Sequence, residues 1–209
     1  MAIELRWLGH ACFQVTCEDY SIVLDPFEPG SVPGCADIDI QADEVLCSHG
    51  HHDHNYTAGV RLPREKKESP FQVTVISTYH DDQEGALRGE NKIHVLEAGG
   101  IKVAHFGDIG CKLTPEQKKQ LQGLDAAMLP VGGFYTVDAA GAWEIAEELR
   151  PTVILPMHYR SETFGLKPIS GVEEFLELCG KWIRYPGDTI SITKGMERQT
   201  ALLTYGAGR

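Results

Sequence analysis

Residues 48–54 read Ser-His-Gly-His-His-Asp-His, and as H-x-H-x-D-H they place His49, His51, Asp53 and His54 within six residues. Imidazoles and carboxylates suit zinc and other first-row divalent cations. At a strand end or in an extended turn, alternate residues point the same way, so His49 and His51 can meet one cation. Asp53 and His54 are displaced from them and suit a second cation nearby. The ordered pattern arises by chance in roughly one such chain in a thousand, which sets a solvated His-rich turn well behind a metal site. His52 fills the variable position and reads as a non-ligand.

Three later residues complete a donor set, each where a strand opens into a loop, the usual seat of active-site groups on a rigid scaffold. They are His80 after Ser77-Thr78-Tyr79, Asp108 after Phe106-Gly107, and His158 after Pro156-Met157. A carboxylate at Asp108 can bridge two cations. His94 and His105 compete with His80 as the remaining imidazole, but both lie within expected strands, whereas His80 lies at a strand end.

The elements that must position these groups follow from periodicity and turn signals. Short apolar runs predict strands over Ile3–Leu8, Cys12–Thr16, Tyr20–Leu24, Glu44–Cys47, Phe71–Ser77, Lys92–Glu97 and Ile101–His105, with a hairpin at Ala98-Gly99-Gly100. Residues 26–42 carry Pro and Gly and read as a loop. Thr114-Pro115 opens a helix to Leu121. A second helix spans Asp138–Leu149, with Ala142, Ile145, Ala146 and Leu149 at helical spacing and Asp138 as its N-cap. A third, capped by Ser170, spans Gly171 to about Cys179. Strands are expected at Ala126–Pro130, Thr152–Leu155, Thr189–Thr193 and Thr200–Tyr205. Strands first and alternating strands and helices later indicate an α/β chain, with other α/β arrangements left open by pattern alone.

With these elements in place, the motifs resemble the metallo-β-lactamase fold superfamily over essentially the whole chain. The matching features, in order, are the 49–54 motif, His80, Gly107-Asp108 and His158, with Asp25 in Leu24-Asp25-Pro26 at the position that braces the histidine loop. Gly9-His10-Ala11-Cys12-Phe13, Leu129–Thr136 and Leu155–Tyr159 are similar to the branch of small Zn-dependent hydrolases that includes ascorbate-6-phosphate lactonases and N-acyl-phosphatidylethanolamine phospholipase D. No long lid, nuclease-type accessory domain or membrane-docking insert is read in the sequence. The resemblance implies a four-layer αβ/βα sandwich of two mixed β-sheets flanked by helices, as one domain over residues 1–209. It implies metal one on His49, His51 and His80, metal two on Asp53, His54 and His158, and Asp108 as the bridge. It also implies a metal-bridged water or hydroxide that cleaves a small ester, lactone or phosphodiester.

Around that site, Asp53 can orient the water as well as bind metal. Tyr135, after Gly132-Gly133, can donate to a developing oxyanion or simply pack. His10 can support a ligand, touch substrate or be structural. Zinc leads as the metal, with iron, manganese and nickel compatible with the same donors. The run Arg64–Glu68 reads as a solvated loop.

Composition narrows the alternatives. The formal net charge of −11 argues against a nucleic-acid partner, while two dications can still draw a small anionic substrate to one place. No signal-peptide or membrane-span pattern occurs, and the six cysteines lack CxxC spacing, so the expected location is the cytoplasm, with no membrane partner and a homo-oligomer left open. The competing readings are a non-catalytic metal binder, against which an intact ligand set argues, and a redox di-metal protein of the same fold. Redox members usually carry Glu at the position of His51 and a flavin domain. A nuclease is disfavoured by the acidic charge.

Overall fold

Period-two burial organises the first half of the chain: Ile22 and Leu24 turn into one apolar cluster while Val23, between them, turns into another. The computed structural model describes residues 1–206, so the last three residues of the unit expected over 1–209 lie outside the described residues. In chain order the elements begin with β1 (Ile3–Gly9), β2 (Cys12–Cys17), β3 (Tyr20–Leu24), β4 (Ile40–Gln41), β5 (Glu44–Leu46), a 3-10 turn (Thr57–Gly59) and β6 (Val60–Arg61). Next come β7 (Gln72–Tyr79), β8 (Glu90–Ala98), β9 (Ile101–His105), α1 (Pro115–Gln120), β10 (Ala126–Pro130), α2 (Ala139–Leu149) and β11 (Val153–Met157). The chain continues through α3 (Glu173–Cys179), β12 (Trp182–Arg184), β13 (Thr189–Ile192) and β14 (Gln199–Leu202).

Two mixed sheets result, ordered β13-β1-β2-β3-β5 and β12-β14-β11-β10-β9-β8-β7, with a small β4-β6 pair. In the larger sheet β9, β10 and β11 run parallel, and β7, β8 and β9 antiparallel. Trp7, Phe13, Ile22 and Leu24 of the first sheet join Ile93, Leu96, Val103, Leu129 and Leu155 of the second in one core. Each large side chain buried there contributes about 1.5–3 kcal/mol. Every residue of β10 and β11 is buried, as expected of parallel strands covered on both faces. The outer cover is α2, which buries Ala139, Ala142, Ile145, Ala146 and Leu149 and packs on β10 and α3. On the far side of the smaller sheet, Phe27, Val32 and Ile38 from the connecting segments and Val60 of β6 cover Leu8, Cys12 and Val23, so loop and the short β4–β6 pair form that layer.

Local chemistry sets the boundaries. Thr114 and Gln117 form a reciprocal capping box at α1, and Asp138 accepts from Gly141 N at α2; such caps contribute about 1 kcal/mol each. The β8–β9 hairpin turns on Gly99 and Gly100, whose φ values of 55° and 75° suit a two-residue turn of the primed type. At α3 the expectation is corrected. Ser170 is not its cap: its amide donates to Gly132 O and its carbonyl accepts from Arg160 N, so it is committed to the loop, and Val172 precedes the helix without a side-chain cap. The last strand ends at Leu202, short of Tyr205.

Candidate metal centre

Five segments leaving strand ends converge on one place: His10 after β1, residues 48–54 after β5, His80 after β7, Asp108 after β9 and His158 after β11. Asp108 sits at the centre. Its Oδ2 lies 3.2 Å from His54 Nε2, 3.3 Å from His80 Nε2 and 3.1 Å from His158 Nε2. Two further groupings have ligand atoms all within 4.8 Å of one another: His49 with His51 and His80, and His10 with Asp53, His54 and His158. The sequence-expected ligands are therefore brought together, in the two sets expected, and His10 joins the second.

Backbone strain and close approach hold Asp108. Gly107 has φ of 54°, and a Cβ there would collide with Asn91 and Ser48. Buried Asn91 donates to Thr78 Oγ1 and Phe106 O, and its Oδ1 accepts from Asp108 N at 2.9 Å. His10 (φ 52°), Asp25 (φ 48°) and His158 (φ 53°) also sit in the left-handed region, a cost the surrounding packing must offset.

The ring orientations are set from behind. Asp25 is fully buried; its Oδ1 accepts from Ser48 N at 2.7 Å, and its Oδ2 accepts from Ser48 Oγ at 2.5 Å and from His54 Nδ1 at 2.8 Å. Ser48 Oγ in turn lies 2.9 Å from His49 Nδ1, and His80 Nδ1 lies 3.1 Å from Tyr135 O. In each of these contacts the ring's Nδ1–H donates to the supporting oxygen, which leaves Nε2 facing the centre, the usual arrangement behind histidine ligands. Asp25 also falls within ligand distance of His49 and His54, but its oxygens are already engaged by those donors, so it braces the loop.

The competing histidines separate on the same criterion. His105 Nε2 donates to Ala11 O at 2.7 Å and its Nδ1 accepts from Gly107 N at 3.2 Å, so both nitrogens are occupied. His94 lies opposite His105 in the β8–β9 register and belongs to none of the close donor groups among the described residues.

The centre is electrostatically prepared for cations. Burial pushes His49 down to about 3 and, with His158 beside it, His10 down to about 4, so both imidazoles are neutral at pH 7. Burial would raise the Asp108 carboxyl, but His158 and His54 hold it well below its usual range; Asp53 is likewise lowered against its burial, chiefly by His10. His54 goes the other way: burial opposes its charge, but Asp108 and Asp25 hold its proton well above the usual range. Among the described residues, His49 Nε2, His54 Nε2, His158 Nε2 and Asp108 Oδ1 are buried without a hydrogen-bond partner. Orphaned polar atoms on this scale are costly, and a metal is the natural partner for imidazole and carboxylate atoms pointing at one another.

A pocket of about 390 Å³ opens beside the centre, lined by the donors His51, Asp53, His80 and Asp108 together with Leu87, Arg88, Tyr135 and Leu166. His52 lines it too. Tyr135 thus lines the pocket beside the donors. His10 is fully buried and packs on the His158 ring with centroids 4.0 Å apart, behind the donors rather than on the pocket wall. Ser48, Asn91 and Arg88 carry no signal in the sequence motifs, because each makes its contacts, to Asp25, Asp108 and Phe134, across the fold.

Residues 4–158 match the family model described as the beta-lactamase superfamily domain. A metal-dependent hydrolase from Methanoregula boonei is 30% identical over 190 residues, covering 76% of this chain and 83% of that one. Another metal-dependent hydrolase, from Desulforamulus reducens, is 26% identical over 195 residues, covering 76% and 85%. Among solved structures, a Thermotoga maritima protein assigned to the metallo-β-lactamase superfamily is similar with a TM-score of 0.77 and 32% identity, covering 96% of this chain and 98% of that one.

Proposed function

The chain belongs to the metallo-β-lactamase superfamily, and from that premise we propose that it is a two-metal hydrolase of a small anionic ester, lactone or phosphodiester. The observation that carries this reading is Asp108 Oδ2 lying 3.1–3.3 Å from three Nε2 atoms at the floor of an open pocket. His49, His51 and His80 would hold one dication, Asp53, His54 and His158 the other, and Asp108 both. Zinc is the first candidate, with iron, manganese and nickel suited to the same donors. When bound, the metals supply Lewis acidity and lower the pKa of water at the site.

The chain's own residues do the rest. Asp53 is partly exposed to the pocket, and one of its oxygens faces the neutral His10 ring at 3.4 Å from Nε2. Its other oxygen is available to orient an attacking water. His10 acts through Asp53 as a positioning residue. The Tyr135 phenol donates to the oxyanion that develops as the bond breaks. Six free cysteines suit the reducing cytoplasm, and no helix among the described residues is long and apolar enough to cross a membrane. The acidic surface suits a small-molecule substrate rather than nucleic acid.

The test is a screen of metal-loaded protein on a lactone, a phosphodiester and an acyl ester beside Asp108→Ala. Turnover of one class by the intact protein alone supports the reading and names its chemistry. Metal-loaded protein that turns over none of the three contradicts it and leaves a binding role.

A further inference from the structure

Arg88 lines the pocket that the donors open into. Asp81, the residue after His80, is buried and its carboxylate accepts four backbone amides: Gln83 and Gly85 on Oδ1 at 2.8 and 2.9 Å, and Leu87 and Arg88 on Oδ2 at 3.0 and 2.7 Å. The loop closes back on itself, since His80 N donates to Gly89 O and Gly89 N to Gly85 O. Arg88 is therefore tied to the same strand end as the donor His80. Its Nη2 donates to Phe134 O at 3.1 Å, and its guanidinium lies 5.9 Å from the centroid of the Tyr135 ring.

Among the described residues seven Lys and Arg side chains pair with a carboxylate, and most of those that do not, such as Arg64, Lys92 and Arg184, are exposed. Half-buried Arg88 has no such pair among the described residues, although the chain carries a net charge of −11. Among the described residues it is the one Lys or Arg lining the pocket. A guanidinium has five donors in a planar fork, and the Phe134 carbonyl engages only one of its nitrogens. Leu87, 60% exposed, and Leu166 give the pocket an apolar stretch.

We propose that Arg88 is the specificity-determining residue of this pocket and recognises an oxyanion, carboxylate or phosphate, carried by the substrate on a short apolar arm away from the bond that is cleaved. The proposal rests on the two-metal reading, because the donor centre is what fixes the other end of the substrate. It predicts recognition at two points, the reacting group at the centre and the distal oxyanion at Arg88.

Three hydroxamates test it on metal-loaded protein by calorimetry: butyrohydroxamate, succinic monohydroxamate and 3-phosphonopropanohydroxamate. All three present the same metal-chelating head, and the second and third add a distal carboxylate or phosphonate. The expected result is that at least one charged probe binds about tenfold or more tighter than butyrohydroxamate, the usual yield of a charge-assisted hydrogen bond. Which charged probe it is separates a carboxylate from a phosphate. Arg88→Ala and Arg88→Met abolish that preference and leave the butyrohydroxamate Kd within about twofold; Arg88→Met keeps an apolar stem over Tyr135 in case the alanine variant misfolds. A loop latch alone would weaken all three probes together. Equal binding of the three by the wild type, or a preference that survives in both variants, overturns the role of Arg88 while the metal reading stands. Failure of even butyrohydroxamate to bind overturns the metal reading itself.

Discussion

The two halves of the donor centre are built differently. His54 and His158, with His10 beside them, are fully buried, and Asp53 alone of that group reaches the pocket. His51 and His80 line the pocket, His51 is exposed, and His49 is partly covered. The closed half is anchored by Asp25 under His54 and by the His10–His158 ring contact; the open half relies on single contacts, Ser48 to His49 and the Tyr135 carbonyl to His80. The difference teaches where each role belongs. On the proposed two-metal reading, a cation in the closed half would be shielded from water, and one in the open half would meet substrate and exchange more readily.

The largest effect comes from the group the halves share. Asp108→Ala should lower kcat/KM by about 10³-fold or more, since several kcal/mol of metal-dependent stabilisation go with it, and should reduce metal content in both halves. Loss from one half alone, read by metal analysis, would reassign Asp108 to that half. A smaller effect separates the supports. Asp25→Asn should weaken the more tightly held metal by about 10–100-fold, whereas Ser48→Ala, which removes the Oγ contact to His49 and one of several donors to Asp25, should cost about tenfold. Competition with a chromophoric chelator measures both, and equal losses would erase the distinction between the halves.

The smallest effect is in pH. Burial would raise the Asp25 carboxyl, yet His105, His54 and Ser48 hold it below its ordinary value. Its folded pKa is thus lower than its unfolded one, near 4, so the stability it contributes is complete above about pH 4 and is lost as pH falls through the depressed folded value. Denaturant unfolding of the chelated protein from pH 7 to pH 3 should show the onset of that loss below about pH 4, and Asp25→Asn should flatten it.

What the sequence made legible was what is local. The 49–54 motif is contiguous, and β3, β9 and β10 begin and end where their apolar runs do. Thr114 and Asp138 cap their helices as their types suggest. The edge strand β12 escaped because all three of its residues are exposed and carry no alternation. Ser170 misled because a long-range backbone bond to Gly132 outcompeted local capping. Asn91 and Arg88 were silent because their partners lie across the fold, at Asp108 and at the 134–135 turn. The positive φ values at His10 and His158, which turn both rings into one cluster, have no signature in residue type.

The most direct measurement of the central claim is metal per chain after reconstitution and removal of free metal, for the wild type beside Asp108→Ala. The account predicts about two metals per wild-type chain, in keeping with a two-metal hydrolytic site, and a clear loss in the variant. A wild-type protein that retains no metal, while folded, would contradict it.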